Sequence, residues 1–286
     1  MIKIRVPKIK AKIVGYVVLS ALVIYALWKM ISNSVFLKGE ERVNVVFFSE
    51  NTAFFSLSKK DVNYLFEFTP EVELLVPGGY GQYKLGGLGK LVSLEKKPDL
   101  FRKTFSVATS SFVDLYFYPR KTDIYYSNNS QSFFPKISDI LFSKSNANIV
   151  DRLILVTKLF DRNRSEYKIV TNLPLPFSHE EFYKDFQGSF YKTSYREKMT
   201  TVQILYQKSY STALLLSHLI EGEGIRVVDL SEDENIESRC RVISKSNDFI
   251  VEALASFFRC RVEKGKTDVS DIIIKLGNLE KDWAVK

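Results

Sequence analysis

Between Ile13 and Trp28 the chain runs sixteen residues without a charge, `IVGYVVLSALVIYALW`. Wound as a helix, this stretch extends about 24 Å at about 1.5 Å per residue. Lys29 can carry its ammonium to the interface on an apolar stem, and Met30, Ile31 and `VFL` at 35–37 continue the run. Residues 13–37 therefore read as a transmembrane span. Residues 1–37 hold six cations, Lys3, Arg5, Lys8, Lys10, Lys12 and Lys29, and no acidic residue. The basic flank precedes the span, so residues 1–12 form a cytoplasmic stub and everything from about residue 38 lies outside the cell membrane. A cleaved signal peptide shares the charged start and apolar core, but `WKMISNSVF` offers no small-x-small cleavage site. The reading is a retained, single-pass signal anchor.

The net charge of +8 is largely this N-terminal excess, and the rest of the chain is close to neutral. Basic and aromatic positions do not interleave on one face, so nucleic acid is not an expected partner. Cys240 and Cys260 both fall in the outward part, where an oxidising environment makes them a candidate disulfide; two separate buried thiols are the alternative.

Short β-branched and aromatic runs from Arg42 to Val76 read as successive strands, and `PGGYGQYKLGGLGKL` as a turn entering a helix near Leu85. A helix then feeds a strand that stops at Pro119, and residues 120–133 read as a polar loop. Two helices follow, the second with Ile149, Leu153, Val156, Leu159 and Phe160 at helical spacing. Residues 171–200 form a linker with Pro174 and Pro176 and a short helix near Glu180. From Thr201 strand and helix alternate twice, with Ser211 and Ser246 as helix caps and `DIIIKLG` as the closing strand. The fold class is α/β: an N-terminal transmembrane helix followed by two small extracytoplasmic α/β domains, at 38–170 and 201–286.

Chemistry-bearing patterns are sparse. The glycine cluster fails the Walker and dinucleotide fingerprints at Lys84 and Leu91. His179 and His218 are far apart in sequence and lack metal-ligand spacing, and `DLSEDENIE` at 229–237 lacks the glycine of a calcium loop and reads as a solvated turn. No metal is expected. The triplets `NNS` at 128 and `NRS` at 163 match the glycosylation pattern.

The order `VQILYQ`, `LIEGEGIRVVDL`, `CRVISK`, `FIVEALASFF` and `SDIIIKLGNLEKDW` resembles the C-terminal domain of LytR-type envelope proteins, at Gly224, Val227, Val228, Asp271, Ile272, Leu276 and Gly277. This resemblance covers about residues 200–283. Residues 42–118, with `RVNVVFF`, Pro70, `LLVPGGYGQYKLGGLGKL` and `FVDLYFY`, are similar to a divergent LytR-CpsA-Psr domain. The resemblance implies a bacterial cell-envelope protein, and in active members a phosphotransferase moving glycopolymers from a polyprenyl diphosphate to the cell wall, with arginines on the diphosphate and aspartates on Mg²⁺. This sequence departs at those points: Glu71 and Val72 stand where the family places an Arg-Asp pair, and `SENTAFFSL` follows the first strand. No catalytic residue is carried over and no cofactor is expected; Mg²⁺ would enter only with the transferase. The expected role is binding or scaffolding in cell-wall or surface-glycopolymer assembly. Its partners would be the membrane, wall glycan or a polyprenyl-linked lipid, and envelope assembly proteins. Two alternatives stay open: the phosphotransferase, with Lys84, Lys90 and Arg102 as the nearby ligand-binding cations, and a bitopic assembly factor of division or pilus machinery.

Overall fold

The computed structural model describes residues 11–122, 124–126, 134–160, 166–171, 173 and 175–285. Both glycosylation triplets, Pro174 and, in the loop at 120–133, residues 123 and 127–133 lie outside the described residues. Helix α1, Ala11–Ser32, is long and apolar enough to cross a membrane, and none of its Gly15–Ser32 window is buried against the protein. It ends at Ser32, short of the expected 37: Phe36, read above as continuing the apolar run, is buried in the globular part, as is Ser34.

The first sheet contains β1 (Arg42–Phe47), β2 (Thr52–Ser58), β3 (Asn63–Phe68), β6 (Leu115–Tyr118), β7 (Lys144–Ser145) and β8 (Tyr167–Val170), in the order β7-β6-β1-β2-β3-β8. β1 is antiparallel to β2 and parallel to β6. β1, β2 and β3 are buried at every position because both faces are covered, which explains their near-continuous apolar text. One face meets α2 (Leu85–Glu95), α3 (Asp99–Thr109) and α6 (His179–Phe186) through Phe54, Phe66, Phe101, Phe105 and Phe182. The other meets α4 (Ile137–Phe142) and α5 (Ile149–Phe160) through Phe47, Phe55, Phe117, Ile140, Leu155 and Leu159. Asn44 lies opposite Ser56 and accepts its hydroxyl at 2.7 Å, a polar pair that pins the register of two otherwise greasy strands.

β4 (Glu73–Val76) and β5 (Gly81–Lys84) form a hairpin on the α2 and α3 side of the sheet. The glycines beyond it serve packing: a Cβ on Gly86 would stand 2.2 Å from the carbonyl oxygen of Tyr126, so only glycine lets that segment press onto α2.

The second sheet holds β9 (Thr201–Tyr206), β10 (Arg226–Glu232), β11 (Arg241–Ser244), β12 (Arg261–Lys264) and β13 (Ile272–Lys275), in the order β10-β9-β13-β11-β12. α8 (Tyr210–Gly222) and α9 (Phe249–Phe258) share one apolar core with it. The caps differ from the expected serines: Ser209 receives the Thr212 N–H at 3.2 Å, and Asp248 receives those of Ile250 and Val251 at 2.9 and 3.1 Å. These residues precede the helix at the distance from which a side-chain oxygen reaches the free N–H groups of the first turn. The acidic stretch read as a loop contributes Asp229–Glu232 to β10 instead. Two elements without a strong periodic signal also appear, edge strand β8 and helix α7 (Thr193–Lys198).

Cys240 and Cys260 are disulfide-bonded, tying the start of β11 to the start of β12, an edge strand exposed along its whole length. After β13, α10 (Leu279–Asp282) turns Trp283 inward until it is 1 % exposed against Phe257 and Phe258. The next carbonyl, of Ala284, accepts the N–H groups of both Gly78 and Gly79 at 3.0 Å.

Candidate functional site

The first sheet grows in two directions from β1. The chain adds β2 and β3 on one side, passes through α2 and α3, and returns to lay β6 parallel on the other. At such a switch point the loops leaving the carboxyl ends of neighbouring strands part, and a crevice opens between them. Here its volume is about 330 Å³. Phe47, Phe48 and Phe117 form a buried aromatic floor, with Phe47 and Phe117 stacked at 4.7 Å. Tyr118, Pro119, Phe134 and Pro135 are half-buried walls.

The rim comes from the β1–β2 turn. Ser49 Oγ donates to the Asn51 carbonyl at 2.7 Å and Thr52 Oγ1 to the Ser49 carbonyl at 3.0 Å, which holds Glu50 out at the tip. On the opposite side Asp139 accepts the backbone N–H of Lys136 at 2.9 Å. Among the described lining residues the two carboxylates, Glu50 and Asp139, face one cation, Lys136. Aromatic planes rimmed by acceptors and hydroxyls suit a ring with apolar faces and donor edges; a diphosphate would meet like charge.

The cations nominated from sequence do not assemble there. Lys84 and Lys90 are exposed on the α2 side and make no ion pair or side-chain hydrogen bond among the described residues. Arg102 on α3 is buried and committed: Nε and Nη2 donate to the Asp99 carboxylate at 2.9 and 3.3 Å, and Nη1 to the Phe257 carbonyl at 3.0 Å. It lines a smaller cavity of about 220 Å³ with Lys103, Arg259 and Trp283. Arg259 also bonds Asp99, at 3.1 Å, and Lys103 bonds the Asp282 carbonyl at 2.9 Å, so the group ties α3 to the second sheet's core.

A second charged cluster is centred on two buried side chains, Lys192 and Glu223, with Glu40 half-buried at its edge. Lys192 Nζ lies 3.2 Å from Glu223 and 3.0 Å from Glu40, while Glu223 also accepts the Phe112 N–H at 2.7 Å. Burial pushes the Glu223 carboxyl up, and pushes Asp114, which receives the Asn44 N–H at 2.8 Å, up to about 7. The cluster joins the segment before β1, the end of α8 and the start of α7.

Folding also brings together the two histidines that are distant in sequence. The rings of His179 and His218 lie 5.8 Å apart, with Tyr183 stacked on His218 at 4.6 Å. Burial lowers both imidazoles below their ordinary range. Among the described residues no three His, Cys, Asp or Glu side chains are grouped to hold a metal.

Comparison of the chain with protein-family models, curated proteins and solved structures returns no match. The functional reading therefore stands on this geometry. Sequence reasoning missed the crevice because its floor is three phenylalanines whose text is that of an ordinary core. The available signal was positional: Phe48 and Tyr118 stand at the carboxyl ends of strands that prove parallel.

Proposed function

We propose that this chain is a membrane-anchored cell-envelope protein that binds a sugar unit of a wall or surface glycopolymer in the β1–β6 crevice. It acts in binding or scaffolding, with its N-terminus cytoplasmic and its two sheets, as two small α/β domains, extracytoplasmic. The observation that carries the reading is the lining: aromatic planes with two carboxylates and one cation. The disulfide supports an oxidising location. The transferase reading would need free cations around one opening; Lys84 and Lys90 do not join Arg102 at one, and the cations that do, Lys103 and Arg259, are engaged with it by Asp99 and by the Phe257 and Asp282 carbonyls.

The test is thermal unfolding of the full chain in detergent, titrated with wall-derived oligosaccharides and, separately, with a polyprenyl diphosphate with and without Mg²⁺. Ligand at about 100 times its dissociation constant adds roughly 2.7 kcal/mol. A shift with oligosaccharide that disappears in Glu50→Ala and Tyr118→Ala is expected. A Mg²⁺-dependent shift with the diphosphate alone would replace this reading with the phosphotransferase.

A further inference from the structure

Helix α5 is amphipathic in an unusual sense. Its inward face is Asp151, Leu155 and Leu159, all buried. Its outward face is Ile149, Leu153, Thr157 and Phe160, at spacings of four, four and three, with the three apolar side chains 60, 56 and 50 % exposed. Four of the five apolar residues that announce this helix in the sequence thus escape full burial. α4, packed beside it, adds Ile137 and Phe142 at 46 and 66 %. The only acidic residue of α5 is Asp151, which points inward, so the outward face carries no negative charge.

What covers this face follows from how α1 is attached. Asn148 caps two helices at once: its Oδ1 accepts the Asp151 N–H of α5 at 2.8 Å, and its Nδ2 donates to the Met30 carbonyl in the last turn of α1 at 3.1 Å. Asp151 in turn accepts the hydroxyl of Ser34 at 2.6 Å. The end of the anchor is therefore bonded to the start of α5, with no slack between them. Ile149 adjoins the residue bonded to Met30, and Leu153 lies about 6 Å further along the helix. The headgroup layer on each side of a bilayer is roughly 6 Å thick. Leu37, 51 % exposed, lies on the same short connection, and Lys29 and Lys38 flank it.

We propose that the outward face of α5, with Ile149 and Leu153 at its anchor-proximal end, rests in the headgroup and acyl boundary of the bilayer that α1 spans. The occupant is phospholipid. A helix of this type lies with its apolar face sunk about 5–10 Å into that boundary, with cations at the phosphates. This extends the membrane-anchor reading and rests on it. The consequence is that the first sheet is seated on the membrane at a set attitude, its α4–α5 layer down.

The test uses the full chain in nanodiscs of phosphatidylcholine and phosphatidylglycerol, with an NBD fluorophore on Leu153→Cys, on Tyr25→Cys in α1, and on Val269→Cys in the exposed connection between β12 and β13. The native cysteines are paired, so the added thiol alone is labelled. A blue shift, with loss of emission in brominated lipid, is expected at 25 and 153 and not at 269; Ile149→Cys should repeat the result at 153. Quenching at 25 with position 153 behaving like 269 overturns the proposal and leaves the anchor standing. An unquenched position 25 removes the anchor, and the proposal with it. Shielding at 153 that ignores brominated lipid and fades on dilution assigns the face to another protein molecule and overturns the proposal.

Discussion

Replacing Lys192 with methionine tests whether the charge cluster around it holds the two sheets together. Lys192 is 4 % exposed and Glu223 fully buried, and among the described residues the lysine is the one cation within bonding distance of that carboxylate. In Lys192→Met the Glu223 carboxylate keeps its bond from Phe112 N–H but loses its counter-charge. Removing one partner of a buried pair costs about 3–5 kcal/mol, a large fraction of the stability of most proteins. The cost depends on pH in a definite sense. Burial already raises the Glu223 carboxyl above its ordinary value, and loss of the lysine raises it further. A raised folded-state value favours folding at low pH and loses that benefit as pH rises through it, so the deficit of Lys192→Met should shrink as pH falls toward the ordinary carboxylate range and grow as pH rises above it. The double variant Lys192→Met, Glu223→Gln should recover most of the loss, because neither charge is then stranded. The assay is urea unfolding of the full chain in micelles, followed by Trp283 fluorescence in a Trp28→Phe background. A cost below about 1 kcal/mol at pH 7.5, or no recovery in the double variant, would refute the reasoning.

Gly222→Ala places a methyl carbon 1.6 Å from the Ser110 carbonyl oxygen, backbone against backbone, so it should destabilise by roughly 1–3 kcal/mol or more in the same assay. Converting both Cys240 and Cys260 to serine opens a loop of separation 20 and should cost about 3 kcal/mol, seen as a lower urea midpoint that reductant no longer changes. Asp114, with its folded value raised to about 7, makes the folded chain bind an extra proton near neutrality. Wild type should therefore lose about 1.4 kcal/mol between pH 6 and 8, a loss that Asp114→Asn abolishes.

Where local periodicity and burial agree, the sequence is readable. The β1–β3 runs, the strand ending at Pro119, the two alternations after Thr201 and the cysteine pair all have local signals, and all are present. What depends on partners is not readable in this way. Helix α5 is recognisable, but the text does not say which of its apolar residues face the sheet: Leu155 and Leu159 do, while Ile149, Leu153 and Phe160 do not. Ser211 and Ser246 are reasonable caps by type, and Ser209 and Asp248 take the role because the chain bends at those residues. The crevice is the extreme case. It exists because β6 returns parallel to β1, a long-range choice that leaves no mark on Phe47, Phe48 or Phe117.

The second sheet has its last strand near its middle. Without β13, what remains is β10 with β9 and β11 with β12, two parallel pairs with unsatisfied edges where a continuous ladder should be. Synthesis therefore delivers the keystone after almost everything it must join, and residues 201–270 wait as separated halves until Ile272–Lys275 emerge. Trp283 and the Ala284 carbonyl arrive later still and latch that sheet onto α3 and the β4–β5 hairpin. A chain interrupted before Ile272 would carry open strand edges on both halves, templates for pairing with another chain in place of the missing strand.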